Sequence, residues 1–101
     1  MKLSATGKRT RQGDERLTVA WERNGKPPEE SYSATFRYEN DCTDEHRSHS
    51  GTTFTAETEA GAVLRAAKAA KAFLKADRDA TRTLPDAVIR MYMETKQLPL
   101  F

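Results

Sequence analysis

The sequence predicts an α+β domain: a three-stranded antiparallel sheet followed by two helices, with a flexible basic arm before it and a protruding tail after it. Three observations lead there. Residues 17–22 alternate apolar and polar side chains with the period of two of a half-buried strand. Beyond residue 58 the apolar positions recur three and four apart, the period of one helix face. Gly and Pro cluster between the periodic segments, where a chain turns. A chain of 101 residues is enough for one modest core. The expected division is therefore an arm over 1–16, one domain over 17–95 and a tail over 96–101.

The arm carries Lys2, Lys8, Arg9, Arg11 and Arg16 among Gly, Ser, Thr and Gln, with few apolar groups to fix it. Such an arm either follows phosphates, gaining affinity by counterion release, or simply solubilises a terminus. Order is expected to begin near Arg16. In the first strand Leu17, Val19 and Trp21 alternate with Thr18, Ala20 and Glu22, and Asn24-Gly25-Lys26-Pro27-Pro28 then breaks it. The second strand runs over 32–38, with Tyr32, Ala34, Phe36 and Tyr38 on one face. Residues 39–51 are polar and charged and are read as a loop. Thr52-Thr53-Phe54-Thr55-Ala56, rich in β-branched residues, is the third strand.

One face of such a sheet needs cover. A helix over about 59–77 supplies it, capped by Thr58, with Glu59 in a first turn where the helix dipole favours negative charge. Val63, Ala66, Ala67, Ala70, Phe73 and Leu74 form its apolar stripe. Its other side carries Arg65, Lys68, Lys71 and Lys75, continued by Arg78 and Arg82, with no acid between Ala60 and Ala76. This basic ridge is either a solvated face or a surface for a nucleic-acid backbone. Thr83-Leu84-Pro85-Asp86 approximates a capping box that opens a second helix. Leu84, Val88, Ile89 and Tyr92 are its buried stripe, and it fades near Thr95 because Pro99 lies close behind.

Composition narrows the function. With 37% hydrophobic and 32% charged residues the chain is expected to be soluble. No apolar run approaches the ~20 residues that span a bilayer, and Met1-Lys2-Leu3-Ser4 opens no signal-peptide pattern, so the expected location is cytoplasmic, away from membranes. The single cysteine, Cys42, fits a reducing compartment. Cys42, His46 and His49 have ligand chemistry, but their spacing matches no zinc motif and nothing orients them, so solvated loop residues and no metal are expected. There is no Gly-rich phosphate loop, no Gly-x-Ser-x-Gly and no zinc-protease pattern, so neither an enzyme nor a cofactor is predicted.

The last five residues are Gln97-Leu98-Pro99-Leu100-Phe101. Two leucines and a phenylalanine outside the core invite insertion into a partner, since burying each is worth about 1.5–3 kcal/mol. At every defining position this stretch resembles the Gln-Leu-x-Leu-Phe pentapeptide by which proteins bind the bacterial DNA sliding clamp. The resemblance implies that Gln97 is the polar anchor, Leu98 a lesser contact, and Leu100 with Phe101 the plug of a deep apolar subsite. Pro99 stands at x. It removes an amide donor but holds the peptide extended, which lowers its ordering cost. The competing expectation is a structural tail packed on the protein's own sheet.

Residues 17–76, sheet then helix, also resemble loosely the arm-DNA-binding module of phage and transposon integrases, in order of elements only. The expectation is a small interaction protein, of bacterial, phage or mobile-element origin, that docks on the sliding clamp in or against DNA replication and repair. The rival is a DNA-binding module that uses ridge and arm.

Overall fold

The computed structural model describes residues 1–8, 13–26, 30–40, 47–50, 53–76 and 80–96, with backbone alone for 47–50. The predicted flexible arm is strand in most of its described part. Strand β1 (Lys2–Lys8) pairs antiparallel with β2 (Asp14–Asn24), placing Leu3 opposite Val19, Ala5 opposite Leu17 and Gly7 opposite Glu15. The reason lies in side-chain size. β1 has the period of two, but its inward positions become small, so the alternation reads as polar sequence although Ala5 is 6% exposed. Arg9 and Arg11 lie outside the described residues.

β3 (Ser31–Asn40) pairs with the other edge of β2, with Val19 opposite Phe36 and Trp21 opposite Ala34. The turn after β2 begins at Gly25, whose φ of 76° is the left-handed region that Gly adopts without strain. The free edge of β3 takes two short strands in place of one. β4 (Arg47–Ser50), within the expected loop, runs beside residues 37–40, and β5 (Phe54–Ala56) runs beside residues 32–34. Ser50 faces Arg37 and Phe54 faces Ala34, so the register shifts by one residue between them. The expected three-stranded meander is thus a five-stranded antiparallel sheet in the order β1-β2-β3, with β4 and β5 sharing the last edge.

Helices α1 (Glu59–Lys75) and α2 (Leu84–Thr95) cover one face of this sheet, α1 over β2, β3 and β5, and α2 over β1 and β2. Thr58 caps α1 as its sequence position requires, its Oγ1 accepting the Gly61 N–H at 3.0 Å. Thr83 does not make the expected capping box. Its backbone is already helical (φ −90°, ψ −3°), its side chain makes no cap bond, and Asp86 sits 3.7 Å from Lys71 instead. The helices run antiparallel, because Lys71 meets Asp86 at one end and Glu59 meets Tyr92 at the other.

The core forms where inward strand positions meet the alanine stripe. Leu17, Val19, Val63, Leu74 and Val88 are fully buried, and Ala62, Ala66 and Ala70 let α1 approach the sheet closely. Phe73 lies between Phe36 and Tyr38 with both ring centroids at 5.9 Å, and Trp21 meets Tyr92 edge-on at 5.5 Å. No described helix is long and apolar enough to cross a membrane.

Candidate interaction surfaces

The clamp-like pentapeptide, Gln97, Leu98, Pro99, Leu100 and Phe101, lies outside the described residues. Its attachment point is well defined. α2 ends at Lys96, whose backbone N–H donates to the Tyr92 carbonyl at 3.1 Å. The Lys96 ammonium donates to Glu59 Oε1 at 2.8 Å, and the Tyr92 hydroxyl donates to the same oxygen at 2.9 Å. Lys96 also lies over the Tyr92 ring, 6.0 Å from its centroid. The residue before the pentapeptide is therefore tied to the first turn of α1.

This cluster perturbs two titrations. Burial pushes the Glu59 carboxyl up, but hydrogen bonds from Lys96 and Tyr92 and the Lys96 charge outweigh it, so its pKa falls below the ordinary 4.5. The Trp21 indole N–H, which makes no hydrogen bond of good geometry among the described residues, lies close enough to add to this lowering. Burial, then the neighbouring Glu59, pushes Tyr92 up from 10.0 to about 12. The linkage signs follow. A lowered carboxylate contributes stability above pH 4.5 that is lost as pH falls through the folded pKa. A raised tyrosine contributes stability that is lost as pH climbs from 10 towards 12. Glu59→Gln is expected to flatten the acid limb of the unfolding free energy, and Tyr92→Phe the alkaline limb. Denaturant titrations followed by the single tryptophan, which meets Tyr92 edge-on, measure both. Unchanged limbs in both variants would contradict the assignment.

The structure places most of the predicted ridge on one surface. Arg65, Lys68, Lys71, Lys75 and Arg82 are exposed, while Arg78 is outside the described residues. Two members have partners among the described residues. The Arg65 guanidinium donates to the Thr55 carbonyl at 2.8 Å, and Lys71 pairs with Asp86 at 3.7 Å. Exposed pairs of this kind contribute ~0–1 kcal/mol and exchange readily for another anion. Arg90, which the ridge pattern missed, is exposed one turn beyond Asp86 on the same stripe of α2.

Cys42 and His46 lie outside the described residues, and His49 falls in β4 opposite Tyr38. Among the described residues no three His, Cys, Asp or Glu side chains gather as a metal site would require. Two shallow clefts, of about 660 and 520 Å³, open mainly on outward positions of the uncovered sheet face. Lys8, Asp14, Arg16 and Glu39 at the first of them balance one another in charge.

A polar group that the sequence reading did not single out is Glu15, 2% exposed. Its Oε2 accepts the Tyr38 hydroxyl at 2.7 Å and its Oε1 accepts the Thr81 N–H at 2.9 Å. The Thr81 hydroxyl donates to the Lys8 carbonyl at 3.2 Å. A Cβ at Gly7 would stand 3.1 Å from Glu15 Oε1 and 3.2 Å from Thr81 Oγ1, so a larger residue there would push these two side chains back by a few tenths of an ångström. These bonds clip the joint between the helices to three strands. No family model, no curated protein and no solved structure matches the chain.

Proposed function

We propose that this protein docks on a bacterial DNA sliding clamp through Gln97, Leu98, Pro99, Leu100 and Phe101, acting in or against replication and repair. The observation that carries the reading is the pentapeptide itself, which matches the clamp-binding pattern at all four defined positions. One feature of the fold supports it. Lys96, held to Glu59, gives the peptide a fixed root, which lowers the entropy lost on docking.

Gln97 supplies the polar contact, while Leu100 and Phe101 supply the apolar energy. A peptide of this length binds near the micromolar range, about −8 kcal/mol, and burial of the latter two, at about 1.5–3 kcal/mol each, supplies about 3–6 kcal/mol of it. The test is calorimetric titration of purified clamp with the full chain, a chain lacking 97–101, and Leu100→Ala/Phe101→Ala. The double variant is expected to bind at least ~100-fold more weakly, and truncation to abolish binding. Clamp binding that is absent, or indifferent to both changes, overturns the reading.

A further inference from the structure

We infer that the outer surface of the α1–α2 hairpin is a second interface, one that lies along the phosphate backbone of duplex DNA. The charge is concentrated there. Among the described residues from Glu59 to Lys96, seven are basic (Arg65, Lys68, Lys71, Lys75, Arg82, Arg90 and Lys96) and three acidic (Glu59, Asp86 and Glu94). Glu59 is taken up by Lys96, and Asp86 lies 3.7 Å from Lys71. The opposite surface differs. On the outward positions of β1, β2 and β3, Lys2, Lys8, Arg16 and Arg37 face Asp14, Glu22 and Glu39, close to neutrality. Of the two broad faces, the helical one attracts a polyanion.

Its geometry suits a backbone. Lys68, Lys71 and Lys75 follow one another at steps of three and four on α1, so they form a row. That row is about 10 Å long at ~1.5 Å rise per residue, and one strand of duplex DNA offers a phosphate every ~3.4 Å along its axis. Three exposed ammonium groups therefore lie along a length that spans about three phosphate steps of one strand.

The same surface argues against other anionic partners. Single strands bind by stacking bases on aromatic rings, and the aromatics of α1 and α2, Phe73 and Tyr92, pack inward. A helix lying on an anionic membrane inserts an apolar face, but the apolar face of α1 is spent on the sheet, and Leu64 at 40% exposure is the large apolar residue left outward on the described helices. The choice of DNA over duplex RNA rests on the clamp reading, since the clamp encircles DNA. The phosphate contact stands without it.

The experiment omits the clamp, so its failure is separate from failure of the docking proposal. Fluorescence anisotropy follows the full chain binding a labelled duplex of random sequence over a range of salt. Lys68→Glu/Lys75→Glu tests the ridge, and Lys2→Glu/Lys8→Glu, an equal charge change on the open sheet face, is the control. Circular dichroism confirms that both fold. The expected result is a log–log salt slope of about −3 for the unaltered chain. The ridge variant is expected to bind at least ~10-fold more weakly, with its slope reduced by about 2, and the sheet variant and the chain lacking 97–101 to bind as the full chain does. Absence of salt-dependent binding overturns the proposal. So does an equal loss in the two charge variants, loss on truncation, or tighter binding of a duplex RNA of the same sequence.

Discussion

Glu15→Ala is expected to lower the folding stability by about 3–5 kcal/mol, a fifth or more of the ~5–15 kcal/mol available to a domain. The side chain is 2% exposed and accepts two hydrogen bonds, from the Tyr38 hydroxyl and the Thr81 N–H. Its removal takes this acceptor from the buried Tyr38 hydroxyl and the part-buried Thr81 N–H, at about 1–3 kcal/mol for each donor left unsatisfied. It also opens a void that Gly7, with no side chain, does not fill. The effect belongs to the orphaned donors rather than to the loss of favourable bonds. A second variant separates the two. Glu15→Ala/Tyr38→Phe removes one orphan and is expected to recover part of the loss, so the two substitutions are non-additive. Denaturant unfolding of the single and double variants gives the coupling. A Glu15→Ala effect within ~0.5 kcal/mol, the range of ordinary surface substitutions, would show that the clip contributes little.

Much of the architecture is carried by local pattern. Leu17, Val19 and Trp21 alternate because one face of β2 is buried and the other wet, and both helices show their stripes for the same reason. β1 escaped because its alternation is one of size more than of hydropathy, ending in Ala5 and Gly7 where the joint between the helices closes over the sheet. β4 and β5 are short and lean on β3, so their pairing is set by tertiary contact that no local window contains. Glu15 did carry a signal. Extending the period of two back from Leu17 puts it on the inner face, and an acid there requires buried donors, here from residues 23 and 66 positions along the chain. The Lys96–Glu59 tie spans the whole helical hairpin and leaves no trace in either neighbourhood. The role proposed for the pentapeptide rests on its pattern alone, since a short peptide that enters a partner's pocket is specified by its own side chains.

On a clamp loaded on duplex DNA, the full chain is expected to bind ~10²–10⁴-fold tighter than on the bare clamp. In the proposed reading, docking through Gln97 to Phe101 and contact through Lys68 to Lys75 are separate events, each weak. Once one has formed, the other becomes intramolecular, and its effective concentration depends on the span between the two. That span is short. Lys96 is held against Glu59, and Lys68 and Lys75 lie nine and sixteen residues further along α1, about 13 and 24 Å at the helical rise. A rigid helix rather than a long linker sets the separation, so little chain entropy is lost when both sites engage. Lys68→Glu/Lys75→Glu is expected to remove the gain on loaded clamp while leaving affinity for bare clamp unchanged. Truncation of 97–101 leaves only the DNA affinity. Because the ridge acts through released counterions, the gain shrinks as salt rises, whereas affinity for bare clamp, set by apolar burial, changes little. Surface plasmon resonance on immobilised clamp, with and without a trapped duplex, reads both quantities. Equal affinity for the two forms at low salt would show that tail and ridge never engage together, and that any DNA contact serves a different complex.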